Sequence, residues 1–270
     1  MSMFRPNAAR QAGALLLLLA LPLAAQDSAQ PPADDPSVLA SEPMPRASKS
    51  LLLDVVRTPA GLFAVGERGH IVSSTDGKKW TQVDAPTRST LTAITAVGDK
   101  LWAAGHDGVI LHSADAGKTW VAQRRDPFML AADENPADHD PHQGKPLLDI
   151  LFTDENNGIA IGAYSLMLVT TDGGTTWSPK QALAPSVAAD APAAPMQGDI
   201  FSAEDLQLDE ESDPHLNAIA STGPNGLVIV GERGTVLRPD DAGATWRKLP
   251  FPYKGSMFGV LSMGDGRLLA

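Results

Sequence analysis

The segment GHDGVILHSADAGKTW, residues 105–120, decides the fold of this chain because its pattern occurs three more times. The other copies are GERGHIVSSTDGKKW (66–80), GAYSLMLVTTDGGTTW (162–177) and GERGTVLRPDDAGATW (231–246). Each copy contains, in the same order, a glycine turn, a short apolar run, an Asp-centred turn and a tryptophan. One such unit cannot bury its apolar face alone, so the repetition predicts an array of packed units.

Each repeat contains four short apolar stretches, which in the second repeat are LTAITAV, LWAAG, VILHS and KTWVAQ. Gly, Asp and Asn turns separate these stretches, a pattern that is typical of strands in hairpins. The first two repeat tryptophans, Trp80 and Trp120, are 40 residues apart. Four strands at this period predict the blades of an all-β propeller over residues 51–270.

The number of repeats bears on the size of the ring. Four repeats are complete, and a fifth opens at MFGVLSMGDGRLLA (257–270). Propellers have about four to eight blades. We therefore expect a fragment of a six- or seven-bladed ring, and the alternative is a small ring closed by its N-terminal strand.

Two insertions, at about 126–146 and 181–214, lengthen the connections between repeats. The second is Ala- and Pro-rich and then acidic, and it forms either a short helix from Ser202 or a disordered loop. The first contains a weak candidate metal site, because carboxylates and imidazoles are ligands of zinc and similar ions. Its candidate ligands are Asp138, His139, Asp140 and His142. Pro136 and Pro141 favour a solvated loop there, and we expect no metal.

The N-terminal residues have the features of a secretory signal. Arg5 and Arg10 precede an apolar run from Ala12 to Leu23, and cleavage after Ala25 fits the small residues there. We therefore assign residues 1–25 to a signal peptide and expect a periplasmic or secreted protein with no transmembrane segment after cleavage. A buried N-terminal helix is the alternative.

The Pro- and Ala-rich residues 26–50 follow, and we interpret them as a linker. Ser37 to Ala40 could instead add an edge strand. The chain has no cysteine, which excludes disulfides and thiolate metal sites. Its net charge of −11 argues against binding nucleic acid through bulk electrostatics.

The Asp-centred turns have a local physical explanation. An Asp side chain can accept hydrogen bonds from backbone N–H groups just ahead of it, and the following tryptophan can cover the turn as an apolar lid. We therefore interpret these residues as structural, not catalytic. The aspartates are Asp76, Asp115, Asp172 and Asp241, and the tryptophans are Trp80, Trp120, Trp177 and Trp246.

These turns resemble the Asp-box, or BNR repeat, Ser-x-Asp-x-Gly-x-Thr-Trp. SADAGKTW (113–120) matches it fully and TTDGGTTW (170–177) has one conservative change. Over residues 51–270 the wider pattern is similar to the photosystem II stability/assembly factor-like family of Asp-box β-propellers. The resemblance implies an exported propeller, found in the thylakoid lumen in photosynthetic relatives, that binds membrane-protein assembly intermediates. It also implies no enzymatic activity and no cofactor.

The same resemblance suggests a contact surface, because that family is associated with arginines on one propeller face. The matching positions here are Arg68 and Arg233, with Asp107 and Tyr164 in the other two repeats. We take Arg68, Arg233, Tyr164 and His106 as candidates for binding a protein partner, since guanidinium groups suit carboxylates. The alternative is that the arginines are solvated turn residues.

A glycoside hydrolase of the sialidase type is the alternative function, since Asp-boxes also occur in such enzymes. Hydrolysis needs a carboxylate pair, or a tyrosine nucleophile with an acidic partner. The sequence offers only Tyr164 and Tyr253 as tyrosines. Glu67 and Glu232 occupy equivalent turns, which favours repetition over a unique catalytic site.

Overall fold

A computed structural model of the chain describes residues 33–126, 144–183, 213–223, 226–239, 241, 243 and 245–270. Over these residues the protein is all-β: four four-stranded antiparallel sheets follow one another along the chain, and a two-stranded sheet comes last. The only helices in the described ranges are two single turns of 3-10 helix, Ala47–Lys49 and Glu67–Gly69. The prediction of repeated four-stranded β-propeller blades is therefore confirmed.

Within each sheet the strands pair in chain order. The first sheet contains β1 (Leu52–Thr58), β2 (Gly61–Gly66), β3 (Ile71–Ser74) and β4 (Thr81–Val83). The second contains β5 (Leu91–Val97), β6 (Lys100–Gly105), β7 (Ile110–Ser113) and β8 (Val121–Arg124).

The third sheet contains β9 (Leu147–Phe152), β10 (Gly158–Gly162), β11 (Met167–Thr170) and β12 (Ser178–Pro179). The fourth contains β13 (Leu216–Gly223), β14 (Gly226–Gly231), β15 (Val236–Pro239) and β16 (Trp246–Lys248). The last hairpin pairs β17 (Leu261–Ser262) with β18 (Leu268–Leu269).

The second strand of each four-stranded sheet is a continuous apolar run because both of its faces are covered, in most cases by neighbouring sheets. In β6, Ala103 packs towards the first sheet, whereas Trp102 and Ala104 pack towards the third. Strands that alternate apolar and polar residues bury only one face, and strands covered on both faces do not alternate. Hydrophobic packing between consecutive sheets therefore holds the array together.

Residues 33–50 differ from the linker that the sequence suggests. Ala47 is only 2% exposed and packs with Met44 against Ala64, Val72 and Trp80 of the first sheet. By its position in the repeat, Ala64 corresponds to Ala103, which packs against the preceding sheet. The N-terminal segment thus covers the face of the first sheet on which a preceding blade would pack.

Hydrogen bonds fix this segment along its length. Ser41 N donates to Ala85 O at 2.8 Å, and Arg88 N donates to Pro36 O at 2.7 Å. The stretch from Ser37 to Ala40 is not an edge strand, because Asp35 closes a turn there. The carbonyl of Asp35 accepts from Val38 N at 3.1 Å, and its carboxylate accepts from Ser37 N at 2.7 Å.

The described sheets do not close into a ring. At the N-terminal end of the array Leu53 and Val55 of β1 are exposed, and at the C-terminal end Phe258 and Leu261 are exposed. The number of blades in a complete ring stays a prediction. In the described ranges no helix has the length and apolar character needed to cross a membrane.

Candidate functional site

The turns between the second and third strands lie at one end of all four sheets, which we call the rim. Two consecutive residues of each turn have a left-handed backbone, and the first of the two is not glycine in any of the four turns. These first residues are Arg68 (φ 56°), Asp107 (φ 54°), Tyr164 (φ 54°) and Arg233 (φ 53°). This conformation is uncommon for such residues. Since the conformation recurs with three kinds of side chain, Arg, Asp and Tyr, it belongs to the repeat. The rim is therefore a common backbone structure that carries different side chains.

Close backbone approach holds each rim turn in place. Glu67 N donates to Leu51 O at 3.0 Å, and His106 N donates to Thr90 O at 2.9 Å in the next sheet. A Cβ atom on the preceding glycine, Gly66, would overlap the carbonyl oxygen of Leu51. This approach explains the glycine that opens each repeat motif.

Arg68 lies beside a cleft between the N-terminal segment and the first sheet. A cavity of about 250 Å³ is lined there by Glu42, Met44, Arg68, His70 and Arg88. The Arg68 guanidinium Nη1 lies 3.9 Å from the Met44 sulfur, and Arg88 pairs with Glu42 at 2.9 Å. The structure therefore brings together two guanidinium groups, of which the sequence analysis named only Arg68.

His70 forms part of the wall of this cleft and is 1% exposed. Ser50 Oγ donates to Ala47 O at 2.6 Å and lies 2.9 Å from His70 Nδ1, so Nδ1 carries the hydrogen and donates to Ser50. Burial lowers the pKa of His70, which keeps the ring neutral at pH 7. The cationic character of the cleft therefore comes from its arginines.

Tyr164 lies in a second group of polar and aromatic side chains on the rim. Lys145 Nζ lies 4.6 Å from the centre of the Tyr164 ring, and the ring of His215 meets it edge-on at 4.9 Å. The main-chain N–H of His215 donates to Glu232 at 3.0 Å, in the same turn as Arg233. His106, by contrast, lies on the second sheet with an exposed side chain. The four candidates therefore share one end of the sheets without forming a single cluster.

The turns between the third and fourth strands, which we call the Asp turns, lie at the opposite end of the sheets. Asp115 accepts from Lys118 N at 3.1 Å, Thr119 N at 2.9 Å, Thr119 Oγ1 at 2.7 Å and Ser113 Oγ at 2.8 Å. These bonds, those from Thr119 first, lower the pKa of Asp115 to about 2. Asp172 has the same geometry and a pKa of about 2, with Thr176 as the main cause.

The first and fourth copies of the Asp turn follow the same plan. Asp76 accepts from Lys78 N at 2.8 Å and Lys79 N at 2.9 Å, and Asp241 accepts from Thr245 Oγ1 at 3.0 Å. In all four copies the carboxylate oxygens face their own turn. This geometry suits a role in closing the turn.

The tryptophans after these turns differ in burial. Trp120 is 7% exposed, and its indole N–H donates to Gly117 O at 3.2 Å. Trp80, Trp177 and Trp246 are half-buried. Trp177 meets the ring of Phe152 edge-on at 5.9 Å between centroids. Trp120 therefore covers its own turn as an apolar lid would, whereas Trp80, Trp177 and Trp246 pack at the edges of the hydrophobic clusters between neighbouring segments.

Two half-buried aspartates that the repeat motifs did not single out connect sheets near their first strands. Asp54 accepts from Ile94 N in the second sheet at 2.8 Å, and Asp149 accepts from Ile219 N in the fourth at 2.8 Å. Burial raises the pKa of Asp54 and, more strongly, raises the pKa of Asp149 to about 7. An Asp at the same place in the apolar first stretch of two repeats, LLLDVV and LLDILF, is the signal that could have revealed them.

The remaining junctions use neutral side chains near the same place in the first strand. Thr92 Oγ1 of the second sheet donates to Leu147 O at 2.7 Å, and Asn217 Nδ2 of the fourth donates to Met257 O at 3.0 Å. Every junction along the described array thus carries a polar side-chain link. The links alternate between an acceptor and a donor.

The candidate metal ligands Asp138, His139, Asp140 and His142 lie outside the described residues, as do residues 1–25 of the predicted signal peptide. Most of the two predicted insertions also lies outside them. Within the part of the chain that the structure describes, no group of three or more His, Asp or Glu side chains could hold a metal ion.

The sequence of this chain is similar to a family of β-propeller domains and to two named proteins. Residues 41–139 match the family model described as the DUF6242 beta propeller domain. The photosystem II stability/assembly factor HCF136 of Oryza sativa subsp. japonica is 29% identical over 126 residues, which are 45% of this chain and 25% of the relative. The photosystem II assembly lipoprotein Ycf48 of Prochlorococcus marinus is 48% identical over 48 residues, 18% of this chain and 11% of the relative. The chain is a β-propeller similar to photosystem II assembly factors.

The sequence similarity to these relatives covers only part of each protein. The matched regions span a quarter or less of those two relatives. A solved structure, the beta-propeller domain of Cps50 (Swd1) from Myceliophteria thermophila, aligns with a TM-score of 0.50 and 13% identity. That alignment covers 79% of this chain and 60% of the other, and it shows the propeller fold alone. The resemblance seen in the repeat motifs is therefore confirmed, as that of an assembly factor-like propeller.

Proposed function

We propose that this chain is an exported, non-enzymatic binding module that assists the assembly of a membrane or envelope protein complex. The observation that carries the proposal is the sequence similarity to two proteins that are both named as photosystem II assembly factors. The candidate signal peptide at residues 1–25 supports export to the periplasm or beyond. We propose a protein partner and no cofactor.

The rim supplies the contact surface in this proposal. Arg68 is exposed, and Arg88 lies in the same cleft with a single exposed carboxylate, Glu42, as its ion-pair partner. Planar guanidinium groups bind carboxylates through paired hydrogen bonds. Exposed ion pairs such as Arg88–Glu42 are worth roughly 0–1 kcal/mol, so an acidic partner segment can displace Glu42.

The third and fourth sheets extend this surface. Tyr164 is exposed and lies under the Lys145 ammonium group, and Arg233 lies on the neighbouring turn. Aromatic and arginine side chains are enriched at the centres of protein interfaces. A partner that spans several blades would thus meet arginine on the first and fourth sheets and a tyrosine–lysine pair on the third. His106 lies on the turn between them.

Charge reversal on the rim tests this proposal. The full chain, carrying an affinity tag, would be used to capture partners from detergent extracts of the source membranes. Because the rim arginines would face partner carboxylates, we expect the double variant Arg68→Glu/Arg233→Glu to lose capture, with an unchanged thermal midpoint. The matched control is Arg57→Glu, since Arg57 is exposed on β1 near the opposite end of the first sheet.

Equal capture by the wild type and the double variant would contradict the proposed surface. A fluorogenic sialoside and a set of fluorogenic glycosides, assayed with the same preparation, test the alternative function. Turnover of any of them would favour a glycoside hydrolase over a binding module.

A further inference from the structure

A second surface lies at the Asp-turn end of the sheets, opposite the rim. A groove of about 400 Å³ runs there between the first and second sheets. Its apolar wall contains Leu62, Phe63 and Val83, and Ala116 of the next Asp turn lines the other side. Leu62 and Val83 are half-buried, and Lys79 and Lys118 stand exposed at the mouth. Hydroxyl side chains complete the lining, at Ser73, Ser74, Thr75 and Thr81. The groove therefore has an apolar wall, a hydroxyl-bearing wall and a cationic edge.

The equivalent junction between the second and third sheets is bridged by side chains. Trp102 Nε1 and Gln123 Nε2 of the second sheet both donate to the carbonyl of Gly173, at 3.1 and 2.9 Å. Between the third and fourth sheets, Lys180 Nζ donates to the carbonyl of Gly243. In both places a donor from one sheet reaches the Asp turn of the next.

The first junction lacks such a bridge. By strand register, Phe63 stands where Trp102 stands in the second sheet. Val83, like Gln123, is the third residue after the repeat tryptophan, although Gln123 lies at a register shift that the first sheet lacks. Neither the Phe63 nor the Val83 side chain can donate a hydrogen bond. Ala116 occupies the position of Gly173 in its turn. Its carbonyl accepts no hydrogen bond from the described residues, so one acceptor beside the groove is left for a ligand.

The charged side chains at the mouth of the groove indicate the charge of the ligand that would bind there. The two Asp turns beside the groove carry Lys78, Lys79 and Lys118, whereas the third Asp turn carries threonine at Thr175. The carboxylates of Asp76 and Asp115 are on the same turns, but their oxygens accept hydrogen bonds from their own turns. Two lysines that line the groove, Lys79 and Lys118, with Lys78 on the same turn as Lys79, complement an anionic ligand in a chain of net charge −11.

We infer that the groove between the first and second sheets binds an acidic peptide segment of a partner protein. An apolar side chain of that segment packs on Leu62, Phe63 and Val83. A backbone N–H next to it donates to the carbonyl of Ala116, and flanking carboxylates pair with Lys79 and Lys118. This site is separate from the rim, and its test does not depend on the proposed function.

Peptide binding to the full chain tests the inference. The probe is a fluorescein-labelled twelve-residue peptide of Asp and Glu with two adjacent central leucines, and the measurement is fluorescence anisotropy. We expect saturable binding that weakens at least tenfold, roughly, in Lys79→Glu/Lys118→Glu, because two attractive contacts become repulsive. Lys248→Glu reverses an exposed lysine on the fourth sheet and should bind the peptide as the wild type does.

A second variant tests the missing bridge directly. Val83→Gln places at the first junction the residue found at Gln123, and its amide should donate to Ala116 O and occupy the groove. We expect this variant to keep its thermal midpoint to within a few degrees and to bind the acidic peptide at least tenfold more weakly, roughly.

Four results would overturn the inference. One is the absence of saturable peptide binding to the wild type. Another is binding that survives both the lysine reversal and Val83→Gln unchanged. The third is equal binding of a lysine-rich peptide with the same leucines. The fourth is binding to phosphatidylglycerol vesicles with no binding of the acidic peptide.

Discussion

At the scale of single residues, the carboxylate and the indole of each Asp-box motif have different structural roles, which are clearest at Asp115 and Trp120. The Asp115 carboxylate accepts four hydrogen bonds from its own turn and lies at the surface. Trp120, five residues later, is almost fully buried in the core between the first two sheets. The carboxylate therefore shapes the turn, and the buried indole contributes the packing energy.

The burial of Trp120 yields the first stability prediction. We expect Trp120→Ala to lower the free energy of unfolding by roughly 3–5 kcal/mol, because the change removes a large buried aromatic side chain and leaves a cavity. Urea denaturation followed by circular dichroism measures this loss. Trp80→Ala is the control, and its effect should be smaller since Trp80 is only half-buried. An unchanged midpoint in the Trp120 variant would contradict the packing role.

At the scale of elements, the N-terminal segment replaces a preceding blade. Residues 33–50 include no β-strand, yet Met44 and Ala47 cover Ala64 and Val72 as a neighbouring sheet would. Without that cover, apolar side chains on the outer face of the first sheet would meet water, at a cost of about 25 cal/mol for each Å² exposed. The segment therefore belongs to the folded domain.

The prediction at this scale concerns Ala47, which is buried against the first sheet. We expect Ala47→Glu to lower the free energy of unfolding by roughly 1–3 kcal/mol, because a charged group cannot be buried there without a partner. It should also speed protease cleavage within residues 33–50. Lys49→Glu introduces the same group at an exposed position two residues away. If Ala47→Glu and Lys49→Glu had the same free energy of unfolding and the same rate of cleavage, the packing of Ala47 on the first sheet would not contribute to stability.

At the scale of the whole molecule, stability depends on the junctions between sheets, since each sheet packs mainly on its neighbours. Each junction combines an apolar core with one polar link near the first strand. Asp149 is the link from the third sheet to the fourth, and it accepts from Ile219 N and Ile150 N. Its buried carboxylate makes this junction sensitive to pH.

The sign of this pH effect follows from the raised pKa. In the folded protein burial raises the pKa of Asp149 from 3.8 to about 7, so the folded state binds its proton more tightly than the unfolded state does. The resulting stability is fully present below pH 4 and is lost as the pH rises to about 7. Across this interval we expect the wild type to lose up to about 4 kcal/mol relative to Asp149→Asn, which has no proton to release.

Urea denaturation of both proteins at one-unit steps from pH 4 to pH 8 measures this difference. Asp154→Asn is the control because hydrogen bonds, that from Asn157 first, lower the pKa of Asp154. Its carboxylate should stay charged over this range. Parallel stability curves for the wild type and Asp149→Asn would rule out the buried carboxylate as a source of pH dependence.

Much of the architecture follows from the sequence alone because its causes are local. The bonds that close each Asp turn join residues at most four positions apart, as between Asp115 and Thr119, so the motif itself contains the information. The glycine that opens each repeat motif and the apolar second strand also recur in every complete repeat, so both can be recognised in the sequence. Strand order, the Asp turns and the end of the sheets that carries Arg68 and Tyr164 could all be inferred without coordinates.

Contacts between residues that are distant in the chain could be seen only in the tertiary structure. Asp149 meets Ile219 70 residues away, and Trp102 reaches Gly173 71 residues away. No local pattern could show that Met44 and Ala47 pack on the first sheet, or that Arg88 joins Arg68 in one cleft. Beside Ala116 the first sheet presents Phe63 and Val83, whereas the second sheet presents the donors Trp102 and Gln123 to Gly173, and only the packing of one sheet on another makes that difference visible. Turn chemistry is therefore encoded locally in this chain, whereas its junctions and clefts depend on which surfaces the fold brings together.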